Sequence, residues 1–148
     1  MEDVNNNDIL KLDNQLCFPL YVVSKEIIRK YKPYLEKLDL TYTQYIAMIV
    51  MWEKKNLKVT DLGKMLFLDT GTISPLIRKL KDKGYVTLSR SSKDERVQMI
   101  QITQKGEELK QKAVEAGLSM KKKMCACLDE KDMKELYRIL YNIINNME

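Results

Sequence analysis

Residues 66–103, LFLDTGTISPLIRKLKDKGYVTLSRSSKDERVQMIQIT, constrain the fold more than any other stretch, because two hydrophobic periods meet there with only a short turn between them. Ile73, Leu76, Ile77 and Leu80 recur at spacings of three and four, which predicts a helix beginning near Asp69 or Thr70. Its first turns offer small polar residues, Thr70, Gly71, Thr72 and Ser74, and its remaining face carries Arg78, Lys79, Lys81 and Lys83. Alternation follows at once. Tyr85, Thr87 and Ser89 point one way and Val86, Leu88 and Arg90 the other. After a charged loop at 91–96, Val97, Met99, Gln101 and Thr103 oppose Gln98, Ile100 and Ile102, so the segment reads as a helix leading into two paired strands.

Between Thr72 and Arg96 stand seven lysines or arginines against Asp82, Asp94 and Glu95, which is most of the net +5 of the chain. On a lone helix such a run is ordinarily a solvated face. The upstream segment argues for more. Residues 57–59 read as short and extended, Thr60 can cap a short helix over 61–66, and residues 60–69 then supply the first helix and turn of a helix-turn-helix. Helix, turn, helix and basic-tipped hairpin make the winged helix-turn-helix plan, in which the second helix enters the major groove of double-stranded DNA and a hairpin arginine reaches the minor groove. The predicted fold class is therefore mainly α with a small β-hairpin wing. The winged module is expected over about 57–103, and the DNA-contacting residues are expected to be Thr70, Gly71, Thr72, Ser74, Arg78, Lys79, Arg90 and Arg96.

The length, 148 residues with 45% apolar side chains, predicts one domain with a real core. Three cysteines argue against a disulfide framework, and with no histidine and a lone Cys17 beside Cys125 and Cys127 no four-ligand zinc site is expected. The lack of histidine also removes serine- and cysteine-hydrolase chemistry of the usual kind, and no glycine-rich phosphate loop is present. No cofactor and no enzymatic role are expected. No signal-peptide pattern is seen, and the apolar run at 46–52 stops at Glu53, so the expectation is a cytoplasmic protein without a membrane partner.

Long helical patterns flank the winged module. Leu16, Leu20, Val23, Ile27, Tyr31 and Leu35 predict a first helix ending near Leu38 and Asp39; Thr41 or Thr43 caps a second, with Tyr45, Met48, Ile49 and Trp52 as its buried face. Beyond the hairpin, Thr103 caps a helix with Leu109, Ala113, Ala116, Met120, Met124 and Cys127 on one stripe, and Asp129 starts a last helix carrying Met133, Leu136, Leu140, Ile143 and Met147. If continuous to Leu128 the fifth helix is about 37 Å long, unless Gly117 bends it. The winged module leaves these helices no surface to bury. They are expected to form a homodimer through about 13–38 and 104–147, presenting two reading helices to a roughly palindromic operator.

This layout, with Asp94-Glu95-Arg96 at the wing and Ile102-Thr103-Gln104-Lys105-Gly106 after it, resembles the MarR family of bacterial transcription regulators. Leu16-Cys17-Phe18, Tyr21, Tyr31-Lys32-Pro33, Leu40-Thr41-Tyr42, Tyr45 and Phe67-Leu68-Asp69-Thr70-Gly71-Thr72 resemble its OhrR branch, the organic-hydroperoxide sensors. The resemblance implies a repressor in which Cys17 is the peroxide-reactive thiol, Tyr31 and Tyr42 are its hydroxyl partners and Arg96 is the minor-groove residue. It also implies that Cys125 or Cys127 can act as a resolving thiol for the sulfenic acid at Cys17, as in members that form a disulfide between subunits; alternatively both are inert and a small cellular thiol caps Cys17.

Cys17 invites the same reading from its surroundings. Asp13 or Asn14 can cap the first helix and place Cys17 in its first turn; Pro19 offers the alternative of a start near Phe18. Either way the thiol lies at a helix start, where the dipole favours the reactive thiolate. Tyr21 lies one turn away. Tyr31 shares the face but stands about 21 Å along the helix, so the two meet only if first helices run antiparallel across a dimer axis. Two other functions fit fewer of these residues: a MarR-type repressor released by a small aromatic ligand, and a thiol peroxidase using Cys17, which gives the recognition helix no purpose.

Overall fold

A computed structural model of the chain describes residues 8–147. Two short 3-10 turns, Asp8–Leu10 and Leu12–Asn14, precede helix α1, Cys17–Glu36. Neither Asp13 nor Asn14 caps α1: both lie in the second turn, and Leu16 stands at the N-cap with helical dihedrals and no side-chain bond. Pro19 is the third residue of α1, inside the turn whose N–H groups have no intrahelical partner, so it starts the helix instead of breaking it.

Helix α2, Tyr42–Lys54, opens with a capping box: Thr41 Oγ1 accepts from Gln44 N at 3.3 Å, and Gln44 Oε1 accepts from Thr41 N at 3.1 Å. It is the central helix, touching α1 and three elements from further along the chain, so its buried arc is wider than one stripe. Ala47, Val50 and Met51 are buried beside Tyr45, Met48 and Trp52, whereas Ile49, expected inside, falls in the remaining gap and is 43% exposed.

Strand β1, Asn56–Lys58, runs directly into helix α3, Val59–Met65. This helix starts two residues before the predicted Thr60-capped helix. Lys58 is held extended by its pairing in the sheet, and Val59 is already buried. Helix α4, Thr70–Asp82, is followed by β2, Val86–Arg90, and β3, Gln98–Ile102. The antiparallel sheet has the order β1-β3-β2, with Leu88 opposite Ile100 and Val86 opposite Ile102, so the alternation read from the sequence puts Val86 and Ile100 into the core.

Three helices end in the same reversal. Leu40 N bonds Leu35 O, Leu68 N bonds Gly63 O and Tyr85 N bonds Leu80 O, at 3.0, 2.9 and 3.0 Å, around left-handed Asp39, Phe67 and Gly84. These reversals set the angles at which α2, α4 and β2 leave their predecessors.

Helix α5, Gln104–Met124, is capped by Thr103, whose Oγ1 accepts from Gly106 N at 3.1 Å and donates to Gly84 O at 2.6 Å. It runs through Gly117 without interruption but stops at Met124, where a 3-10 turn, Cys125–Cys127, replaces the expected continuation to Leu128. Helix α6, Glu130–Asn145, follows with an Asp129–Asp132 capping box and contributes no buried residue. The core thus lies within α2, α3, α4, the sheet and the facing side of α5. Most of α1 and all of α6 stand outside it, with Phe18, Val23, Ile28, Leu136, Tyr137, Ile139 and Tyr141 exposed.

Candidate DNA interface and thiol site

Asp69 fixes the start of α4. Its extended backbone breaks the preceding turn, and its Oδ1 accepts from Thr72 N at 2.8 Å; the Thr72 side chain first and then this backbone N–H hold the carboxyl below its usual range by hydrogen bonding. Ile73, Leu76, Ile77 and Leu80 are buried against the module, and the opposite face presents Thr70, Gly71, Thr72, Ser74, Arg78, Lys79 and Lys81 to solvent. Hydroxyls and backbone N–H groups therefore lie at the helix start and cations further along, a distribution that suits a phosphate backbone flanking base edges. A groove of about 290 Å³ separates α4 from the sheet, with Val59, Ile77 and Leu88 as apolar walls and Ser74, Arg78, Lys81 and Gln98 around them.

The wing tip is folded around Asp94. Its backbone carbonyl accepts from Val97 N at 2.9 Å, and its Oδ1 accepts from Arg96 N at 3.0 Å and Arg96 Nε at 3.3 Å. Arg96 is 93% exposed, so Asp94 braces the base of an otherwise free guanidinium. Arg90 is exposed at the opposite edge of the hairpin, paired in register with Gln98. All eight residues predicted to contact DNA are exposed and lie on α4 or the hairpin. The sequence shows Asp94 as an acid within a basic run and as part of a motif; its bracing of Arg96 is visible only in the fold.

The thiol residues are divided. Cys17 is exposed at the first position of α1, and Tyr21, one turn on, is exposed with Lys25 Nζ 5.6 Å from its ring centre. At the other end of α1, Tyr31 packs against α2, its ring centre 5.6 Å from that of Tyr42 and 5.5 Å from that of Tyr45. Burial, followed by the neighbouring Tyr45 and Tyr42 phenols, pushes the Tyr31 hydroxyl up to about 12; burial likewise raises Tyr42 and Tyr45. These phenols remain neutral hydrogen-bond donors at any physiological pH. Because α1 is unbroken from Cys17 to Glu36, its own Cys17 stands about 21 Å from Tyr31. The fold assembles Tyr31 with Tyr42 and keeps both away from the thiol of the same chain.

Tyr45 is the member that sequence reasoning left out of the site. Its signal was its place one turn after Tyr42 on the same helix. Cys127, expected on the apolar stripe of α5, is exposed, because the 3-10 turn that ends α5 winds at three residues per turn and rotates it off that stripe. Its Sγ lies 3.8 Å from Met124 O. The side chain of Cys125 lies outside what the structure describes. Among the described residues no cluster of His, Cys, Asp or Glu suits a metal ion, and no helix is long and apolar enough to cross a membrane.

Comparison with known proteins places these features among regulators of transcription. The family model described as transcriptional regulator SarA/Rot matches residues 29–113. The chain is 39% identical over 148 residues to the organic hydroperoxide resistance transcriptional regulator of Bacillus subtilis, covering 97% of this chain and 96% of that one. Among solved structures, reduced AbfR bound to DNA superposes with a TM-score of 0.78 at 26% identity, covering 97% of this chain and 99% of that one; AbfR is a protein of Staphylococcus epidermidis. A mutant MarR from E. coli, complexed with operator DNA, shares the fold with a TM-score of 0.81 at 20% identity over 93% of this chain and 96% of that one.

Proposed function

Since the chain belongs to the SarA/Rot family of transcriptional regulators, with a MarR-type winged helix and an organic-hydroperoxide regulator as its relative, we propose that it is a homodimeric, redox-sensing repressor whose switch is Cys17. The observation that carries this reading is the division of the thiol site: paired phenols at one end of an unbroken helix and a free thiol at the other. Two α1 helices running antiparallel across a two-fold axis bring the Cys17 of one protomer to the Tyr31 and Tyr42 of its partner. The exposed apolar side chains of α1 and α6 supply the surface for that pairing.

In the reduced dimer, two copies of α4 enter successive major grooves, with Thr70, Gly71, Thr72, Ser74, Arg78 and Lys79 at base edges and phosphates. Arg96 enters the minor groove and Arg90 meets the backbone. The Cys17 thiolate attacks the O–O bond of an organic hydroperoxide; sulfur gains one oxygen and loses two electrons, and the other oxygen leaves as the alcohol after taking up a proton. The sulfenic acid no longer accepts the phenol hydrogen bonds as a thiolate does, and the contact it disturbs lies in the interface that spaces the two α4 helices. A coupling of about 1–3 kcal/mol weakens operator binding roughly 5- to 150-fold. Support for a redox reading also comes from the solved structure of overoxidised AbfR bound to DNA, which matches at the same TM-score of 0.78.

The test is a gel shift with the operator, with and without cumene hydroperoxide. The parent is expected to release DNA, and Cys17→Ser to stay bound; release of Cys17→Ser as readily as the parent overturns the reading. The groove between α4 and the sheet gives the aromatic-ligand reading a location, and salicylate in the same assay separates the two.

A further inference from the structure

We infer that Phe67, in the turn between α3 and α4, is a specificity-determining residue whose ring meets thymine methyl groups in the major groove. This rests on α4 being the reading helix and stands apart from Cys17.

The turn is built so that position 67 must be left-handed. Phe67 N bonds Lys64 O at 3.2 Å and Leu68 N bonds Gly63 O at 2.9 Å, the paired bonds that close a helix around a residue of positive φ. The approach is close: a Cβ on Gly63 would lie 3.1 Å from Leu68 O. The same reversal at the end of α4 uses Gly84, as the sterics of an L side chain favour. Here the residue is phenylalanine, with a φ of 54°. The other two non-glycine residues of positive φ among the described residues, Asp39 and Lys55, are polar and form ion pairs, with Lys83 and Glu107.

Phe67 gains nothing comparable from the fold. It is 74% exposed, more than any other described aromatic residue. The apolar contact that usually accompanies such a helix end is supplied by Leu68, which packs against the core. A strained backbone and an uncovered ring therefore coincide at one position, and both oppose the stability of the free chain. Strain of this kind persists where the surroundings enforce it, and it gathers at functional sites.

The neighbouring residues say what covers the ring. Asp69, two positions on, caps α4, and Thr70 and Gly71 follow at the end of the helix that faces base edges. The reversal bonds on one side and the Asp69–Thr72 cap on the other make the turn rigid, so the ring is carried at a fixed place beside those residues. Base edges in the major groove are otherwise polar, and the apolar group a phenyl ring can match there is the C5-methyl of thymine. Contact removes both from water, which offsets the cost of displaying the ring.

The experiment measures the affinity of the full-length reduced protein for two duplexes: the operator, and the same sequence with every thymine replaced by uracil, which lacks only the methyl. The parent is expected to prefer thymine. In Phe67→Gly, and in Phe67→Asn, which tolerates left-handed backbone but is polar, that preference is expected to fall about 3- to 10-fold, the scale of one buried methyl-sized contact. Melting is the control for the fold. With the strain removed, Phe67→Gly is expected to melt level with the parent or up to about 4 °C above it.

An unchanged thymine preference in both variants overturns the proposal even where affinity falls, since a ring against the sugar–phosphate backbone would weaken both duplexes alike. A Phe67→Gly protein that melts several degrees below the parent also overturns it, by making the ring part of the fold. Arg78→Ala separates these failures from that of the reading beneath them. If it binds the operator as tightly as the parent, α4 is not the reading helix and the proposal falls with it; if it binds weakly while Phe67→Gly keeps the parental preference, only the proposal falls.

Discussion

Gly106 shows how a single residue ties the central helix to the wing. A Cβ at this position would lie 2.3 Å from the backbone oxygen of Tyr85 and 2.9 Å from Ile102 Cγ1, and a backbone oxygen cannot move aside as a side chain can. The Gly106 carbonyl in turn accepts from Trp52 Nε1 at 2.9 Å, so the start of α5 is locked between the wing and the central helix. Gly106→Ala is expected to destabilise the fold by about 1–3 kcal/mol or more, and a urea melt followed by circular dichroism would show it as a lower midpoint with an unchanged slope. An unchanged midpoint would mean that Tyr85 and α5 separate easily. The sequence displays Gly106 inside a motif but not its reason, because the clash is with a backbone twenty-one residues upstream. Asp39 and Phe67 are harder still to read. Both adopt left-handed backbone at helix ends where glycine is the usual signal, whereas Gly84 does so in the expected way.

Elements with their own local cap were legible. Thr41, Asp69, Thr103 and Asp129 each stand where a polar side chain precedes an apolar period, and each accepts a hydrogen bond from the first turn of its helix. The cap of α1 and the start of α3 were misplaced because chain context decides them: α3 begins where β1 ends, and α1 begins after two 3-10 turns with no side-chain cap, within one residue of the alternative start near Phe18. Similarly, one stripe of apolar residues describes α4, packed on one side, but not α2, which is enclosed on several and exposes Ile49. Of these caps, Asp69 bears on the proposed DNA interface, since it orders the turn that carries Thr70 and Thr72. Its folded-state carboxyl lies below the unfolded value, so its contribution is complete above the ordinary carboxylate range and is lost as pH falls through the lowered value. Asp69→Ala is therefore expected to melt below the parent at pH 7, and the gap between their melting temperatures is expected to shrink as the buffer is brought to pH 3. A gap that is constant with pH would show that the cap bond does not depend on the carboxylate charge.

At the scale of the whole molecule, two helices are patterned for a surface the single chain does not have. Helix α6 spans sixteen residues without burying one, and its Leu136 and Ile139 are each 41% exposed, one turn apart. Exposed apolar area of this kind, continued along α1 by Phe18, Val23 and Ile28, is what a stable subunit interface removes from water. The sequence foretold the stripes and the separation of Tyr31 from Cys17 along one helix, but not that Tyr42 and Tyr45 of α2 would close on Tyr31; on the proposed chemistry that separation makes the dimer a requirement of the thiol switch as well as of stability. Replacing Leu136 and Ile139 together by aspartate is expected to give a monomer by light scattering. The winged module should keep its fold, since its core takes nothing from α6. Operator affinity should fall to that of one reading helix, with a shallower dependence on salt because fewer phosphates are neutralised per binding event. The thiol supplies the decisive arm. In the monomer no Tyr31 or Tyr42 of a partner faces Cys17, so its reaction with hydroperoxide should slow to that of an ordinary exposed cysteine. A monomer whose Cys17 still reacts at the rate of the parent dimer would show that the phenols play no part across the interface.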